Sequence, residues 1–259
     1  MNPDEYRKMF ELENTYWYFQ GRRSIISGLL RQNLPVESKP LRILDVGCGT
    51  GLMLEHLREM GQSPVGFDLH PLAMRYCQQR GLQRLVRGDV TRLPFGDSCF
   101  DLILALDLME HVEDDRALLR EFRRVAVPGA LILLTVPAHP FLWSEHDESL
   151  RHYRRYRREP LRRLLAEAGF RPLRFGYCIS FLFPAIVIFR LIRRRALRPG
   201  QPQTHLIELP RWLNALLIGL LRIEGLFLRR FTFPMGVTLL AMLAPNAQRR
   251  KPADAPRNE

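Results

Sequence analysis

Leu44-Asp45-Val46-Gly47-Cys48-Gly49-Thr50-Gly51 is the stretch on which the reading of this chain turns. Residues 41–46 form a short β-rich run and residues 51–60 an amphipathic helical one, so the glycines fall where a strand gives way to a helix. There they allow a sharp turn and let a ligand approach backbone N–H groups without meeting a Cβ. Gly47, Gly49 and Gly51 alternate, whereas the dinucleotide-binding fingerprint sets its third glycine one residue further on. Asp45 puts a carboxylate into the turn, which repels a pyrophosphate and suits a cationic amino-acid moiety.

Outward from this turn, strand-like and helix-like runs alternate. Strands are predicted at 64–68, 83–87 and 101–105, with a strongly apolar run at 130–136. Helices are predicted at 71–80, 114–126 and 159–168, the last closed by Gly169. Such alternation implies right-handed crossovers and an α/β, doubly wound, mostly parallel sheet. Before it, residues 4–32 read as helical and carry an aromatic knot, Tyr16-Trp17-Tyr18-Phe19.

A length of 259 residues suits one such domain with an elaboration, or at most two small ones. With 46% apolar and 25% charged residues the composition excludes a disordered, collagen-like or polytopic membrane chain. Four scattered cysteines make no disulfide framework. The acidic and aromatic N-terminus predicts no signal peptide and a reducing, cytoplasmic compartment. The net charge of +12 is unevenly spread: residues 1–150 carry −4 and residues 151–259 carry +16. A partner of opposite charge therefore belongs to the second half.

The ordered motifs resemble those of the class I S-adenosylmethionine-dependent methyltransferases, over roughly residues 41–180. The resemblance implies a Rossmann-like, seven-stranded sheet ending in an antiparallel hairpin, and S-adenosyl-L-methionine as cofactor. It assigns the methionine end to Asp45, Gly47, Cys48, Gly49 and Gly51. Asp68, with Leu69, would take the ribose hydroxyls. Asp89 would accept from the adenine amine and Val90 would pack on the ring. Leu106, Asp107 and His111 would form the loop over the methionine part. The turn into the fifth strand reads Val127-Pro128-Gly129, where the family usually has a basic residue before Pro-Gly.

Acceptor residues in this family come from the N-terminal helices and the loops after the fourth and fifth strands. Trp17, Phe19 and Arg22 fall in the first region, and Trp143, Tyr153, Arg154, Arg155 and Tyr156 in the last. Bacterial methyltransferases of cell-envelope and glycan loci look similar in both, and the quinone-biosynthesis branch more loosely. His146 and His152 are the candidate proton acceptors, with Arg154 or Arg155 gripping an acceptor's phosphate or carboxylate. The same histidine and arginine pattern also fits a pinned loop and a solvated helix face. No metal is expected: His139, His146 and His152 match no standard zinc spacing, and no cysteine joins them.

The domain reading is an N-terminal helical cap at 1–40, a core at 41–179 and 235–245, an apolar helical insertion at 180–234 and a disordered tail at 246–259. The hairpin strands are predicted at 173–179 and 235–243. Within the insertion the longest uncharged run is 15 residues, too short to span a bilayer. Arg211, Arg222 and Arg229 share one narrow helical stripe on an otherwise apolar helix, and Arg193–Arg195 with Arg198 follow the first apolar run. That pattern suits a helix lying in anionic lipid, or alternatively a lid or a homodimer interface.

The expected function is methyl transfer to an amphiphilic or lipid-linked small molecule by a peripheral enzyme at the cytoplasmic face of the inner membrane. The alternative is a soluble secondary metabolite beneath an apolar lid. Nucleic acid is not expected as substrate. Asp107-Leu108-Met109-Glu110 lacks the Asn/Asp-Pro-Pro-aromatic motif of amino-methylating enzymes, and the arginines flank apolar runs.

Overall fold

In the computed structural model, which describes residues 3–34, 40–196 and 209–246, seven strands form one sheet in the order β3-β2-β1-β4-β5-β7-β6. The strands are β1 (Ile43–Val46), β2 (Val65–Asp68), β3 (Leu85–Arg87), β4 (Phe100–Leu106), β5 (Ala126–Pro137), β6 (Phe170–Cys178) and β7 (Thr238–Pro245). The first five pair in parallel, and β7 slots between β5 and β6 antiparallel to both. The hairpin starts three residues earlier in β6 and three later in β7 than the sequence predicts. Its pairing runs from Phe170–Pro245 to Cys178–Thr238, so sheet register and not hydrophobicity sets the ends.

Strand order reverses between β1 and β4, and the crevice beyond their carboxyl ends is where an open α/β sheet leaves room for a ligand. Period-two alternation sorts the side chains onto two faces. Leu44, Val46, Ile103, Ala105 and Leu134 pack against α5 (Asp115–Val125) and α7 (Arg158–Glu167) through Leu119, Phe122 and Leu161. Ile43, Leu102, Leu104, Leu133 and Leu240 face the other way, onto α2 (Trp17–Asn33), α3 (Leu52–Glu59) and the insertion. Helix α4 (Pro71–Gln79) follows β2, and α1 (Pro3–Leu12) lies against it.

The insertion supplies two helices, α8 (Phe183–Ala196) and α9 (Arg211–Leu228). One face of α9 is core, with Leu221, Glu224, Gly225 and Leu228 buried. Gly21 makes the α2–α9 crossing possible: a Cβ there would lie 2.2 Å from Leu221 Cδ1. The two uncharged-to-acidic interruptions of α9 are both tethers. Asn214 Oδ1 accepts from the Trp17 N–H at 2.9 Å and its Nδ2 donates to the Thr15 carbonyl at 2.9 Å, closing the start of α2. Glu224 accepts from the Ser180 and Phe181 N–H groups at 2.8 and 2.9 Å, fixing the chain's entry to α8. At the other end Arg174 donates to the carbonyls of Arg229 and Phe231 and to that of Leu228, satisfying the terminus of α9.

Helix α9 thus lends one face to the core while Arg211 and Arg222 stay exposed on it. No helix among the described residues is long and apolar enough to cross a membrane. The side chains of Arg193–Arg195, and Arg198 itself, lie outside the described residues, as does the predicted tail beyond Asn246.

Adding a side chain at the crossing should separate the helices. Gly21→Val is expected to cost about 1–3 kcal/mol by overpacking, and its cost should be non-additive with Leu221→Ala by at least about 0.5 kcal/mol. Urea denaturation of the two single variants and the double variant measures both.

Candidate functional site

A cleft of about 1880 Å³ opens at the carboxyl ends of β1, β2 and β4. Its floor is the Gly-rich turn. Gly47, Gly49 and Gly51 all have positive φ, and a Cβ on Gly47 would meet Leu108 at 2.8 Å. Asp45 lines the cleft at 2% exposure. Burial and the neighbouring Asp68 raise its pKa to about 7, against the pull of Arg22. A cation in the cleft would favour the ionised form of this buried carboxyl.

Asp68 ends β2 and organises the turn, accepting from the Gly49 N–H at 3.0 Å and the His70 N–H at 2.9 Å. Asp89 is exposed and holds its loop through Thr91, whose N–H and hydroxyl both reach Oδ1 at 2.8 Å. Of the residues expected to hold the cofactor, all but Gly51 line the cleft. Gly51 serves packing: a Cβ there would collide with Cys77 Sγ and Leu82 at 2.8 Å.

Helix α1 covers this end, by contacts the sequence reading did not include. Tyr6 stacks on His70 with centroids 4.8 Å apart, and Glu13, 2% exposed, accepts from the Thr50 hydroxyl at 2.5 Å. Arg80 donates to Glu13 and Glu55 and, at 2.9 Å, to the Thr50 carbonyl. Glu13 thereby binds the N-terminal cap to the Gly-rich turn. Nothing local in Leu12-Glu13-Asn14 announces that role.

The other end of the cleft is built from the loops after β4 and β5. Asp107, held at φ 55°, pairs with Arg22 at 2.8 Å while the Thr135 hydroxyl donates to it at 2.8 Å. Arg22 also donates to Thr135, so its guanidinium braces the cleft floor. The loop after β5 closes through a helical turn, α6 (Glu145–Ser149), whose Asp147 is fully buried. Asp147 accepts from the Ser144 N–H at 2.9 Å, Arg155 Nε at 2.7 Å and His152 Nδ1 at 3.0 Å, and Arg190 of α8 lies 3.8 Å away. Burial alone would raise this carboxyl; His152, Arg155 and Arg190 together hold it well below the usual range.

These bonds revise part of the acceptor reading. Trp17, Phe19, Arg22, Trp143, Tyr153 and Arg155 line the cleft, but Arg154 and Tyr156 do not. Arg154 is spent on the Glu113 carbonyl at 2.7 Å and on Asp115, and Tyr156 donates to the Met109 carbonyl at 3.2 Å. Arg155 is 7% exposed and bonded to Asp147 and the Ala138 carbonyl, so neither arginine is free to grip an anion. His146 and His152 both line the cleft, with ring centroids 6.5 Å apart. Burial and the cation of Arg190 lower the His146 pKa to about 4, leaving it uncharged at neutral pH. His139 stands apart, stacked on Tyr177 at 5.1 Å, so His139, His146 and His152 form no cluster. A residue given no role by the sequence reading, Glu110, lies in the cleft wall, fully buried.

Residues 44–134 match the family described as a methyltransferase domain. Among curated proteins, the chain is 38% identical over 121 residues to norajmaline N-methyltransferase of Rauvolfia serpentina, covering 44% of this chain and 41% of that one. It is 29% identical over 145 residues to the ubiquinone biosynthesis O-methyltransferase of Xanthomonas oryzae pv. oryzae, covering 52% and 61%. The chain thus spans about half the length of the curated relatives it matches. A crystal structure of a SAM dependent methyltransferase from Archaeoglobus fulgidus shares the fold, with a TM-score of 0.55 at 20% identity over 86% of this chain and 94% of that one.

Removing the carboxylate at the loop's centre should be severe. Asp147→Ala leaves buried Arg155 unpaired and is expected to cost about 3–5 kcal/mol in urea denaturation at pH 7. Because the carboxyl is depressed on folding, its stabilisation is complete above the unfolded value near ~4 and lost as pH falls below it. The stability difference from wild type should therefore shrink on acidification.

Proposed function

We propose, from the methyltransferase domain that residues 44–134 match, that this chain is a class I S-adenosylmethionine-dependent methyltransferase and methylates an amphiphilic or lipid-linked acceptor while resting on an anionic membrane surface. The cofactor, when bound, supplies an electrophilic methyl group on a sulfonium. The chain's own residues bind, align and exclude water. Asp45 suits the cofactor's amino-acid cation, Asp68 offers its remaining lone pairs to the ribose, and Asp89 keeps one carboxylate oxygen free of Thr91 for the adenine amine. Alignment of donor and acceptor carries much of such a reaction.

The observation that carries the acceptor class is the wall of the cleft. Leu182, Ala185, Ile186 and Phe189 of the α8 region, with Leu213 and Leu217 of α9, line it. The outer faces of the same helices expose Ile188, Ile192, Trp212, Leu216, Ile223 and Phe227. An apolar tail leaving the cleft would meet an apolar exterior on helices that also expose Arg211 and Arg222, with Arg229 and Arg230 exposed just beyond α9. That combination of exposed apolar side chains and cations suits the cytoplasmic leaflet, where each basic residue near the surface contributes about 1 kcal/mol. Of the two imidazoles, His146 holds a proton too weakly to be a useful acceptor. His152, backed by Asp147, is the group placed against the acceptor.

S-adenosylhomocysteine should bind in calorimetry and fail to bind Asp68→Ala. A cationic ligand requires ionised Asp45, so affinity should fall about tenfold from pH 8 to pH 6, with proton release at the lower pH. Asp45→Asn should remove that slope.

The protein should float with vesicles containing phosphatidylglycerol and not with purely zwitterionic ones, and Ile188→Asp with Trp212→Asp should abolish flotation. A chain that stays unbound and forms a tight dimer would instead make this face a contact between copies.

A further inference from the structure

Glu110, His111 and His152 each offer one ligand atom, and the three atoms lie within 4.8 Å of one another. They come from two loops joined by the Tyr153 N–H, which donates to the Glu110 carbonyl at 2.7 Å. Glu110 has no exposure, and neither carboxylate oxygen has a hydrogen-bond partner. Arg22 and Arg155 act on it electrostatically, yet neither donates to it. The buried carboxylate therefore lacks the compensation that burial of a charge demands.

The imidazoles supply the second observation. Their rings meet edge to face, with centroids 4.6 Å apart. His152 Nδ1 is held by Asp147 Oδ1 at 3.0 Å. The outer carboxylate of Asp147 thus occupies one nitrogen of the His152 ring and leaves the other uncommitted. An outer carboxylate or carbonyl holding the far side of an imidazole is the support that metal-ligating histidines have. Three ligand atoms converge, and among the described residues no other side chain donates to the Glu110 carboxylate.

We propose that Glu110, His111 and His152 bind a divalent first-row transition ion of the zinc or cobalt class. Two nitrogens and one carboxylate favour such an ion over magnesium or calcium, which want oxygen ligands. Three protein ligands leave a coordination position open to the cleft. An acceptor oxygen would occupy it, and His152 would then act as a ligand instead of taking the proton itself. This use of the ion rests on the methyl-transfer reading; its binding does not. The sequence expectation of no metal weighed a different trio, and Glu110 and His111 lie far in sequence from His152.

Chelator-treated full-length protein titrated with cobalt(II) tests the site. One equivalent should bind with the visible absorption of a low-coordinate ion. Glu110→Gln and His152→Ala should each weaken binding at least about tenfold, and Asp147→Asn about 10- to 100-fold through His152. Retained S-adenosylhomocysteine binding by Glu110→Gln and His152→Ala marks folded chains. A spectrum identical to aqueous cobalt, or equal binding by wild type and both ligand variants, would overturn the proposal and make Glu110 a protonated core residue. Cobalt binding in a chain that transfers no methyl group would uphold the site and sink the methyl-transfer reading alone.

Discussion

A single buried carboxylate, Asp147, ties the loop after β5 to helix α8. It sits at zero exposure within reach of His152, Arg155 and Arg190, which come from the loop after β5 and from the insertion. Isolated burial of that charge would be prohibitive; three cationic or donor groups make it a hub. Arg155 carries the connection on to the Ala138 carbonyl at the end of β5, and Arg190 to the Leu142 carbonyl. The orientation of His152, and with it the shape of the cleft wall, is a consequence of charge satisfaction at a residue that need touch no ligand.

A second constraint works at the opposite end. Glu13, Arg80 and Thr50 tie the N-terminal cap to the Gly-rich turn, so the turn is braced from outside the sheet as well as by Asp68 from within. The cleft therefore has two independently anchored ends. The Gly-rich turn belongs to the parallel half of the sheet. The end formed by the loop after β5 depends on elements that the insertion completes.

How much was legible in the sequence follows from which contacts are local. The strand–turn–helix at Leu44–Gly51 reads directly, since positive φ at alternating glycines is written into the residue types. The alternation of strands and helices, and the apolar run of β5, read almost as well. The α2–α9 crossing did not, because Gly21 and Leu221 lie two hundred residues apart and neither is unusual alone. Arg154, Arg155 and Tyr156 misled for a related reason. An arginine-rich stretch signals anion binding only if its side chains are free, and here Asp147, Asp115 and backbone carbonyls had already claimed them. Glu110 escaped notice because its isolation, not its neighbours in sequence, makes it chemically unusual.

The cap that Asn214 places on α2 bears on the order in which the chain becomes structured. Trp17 finds its acceptor 197 residues downstream, and the face of α2 around Gly21 is covered only by α9. During synthesis α2 cannot complete its first turn or bury that face until α9 has left the ribosome. Such long-range closure slows folding and leaves apolar surface uncovered in the interim. The parallel strands β1 to β5 can pair before then, so the last structure to set should be the layer in which α9 covers α2.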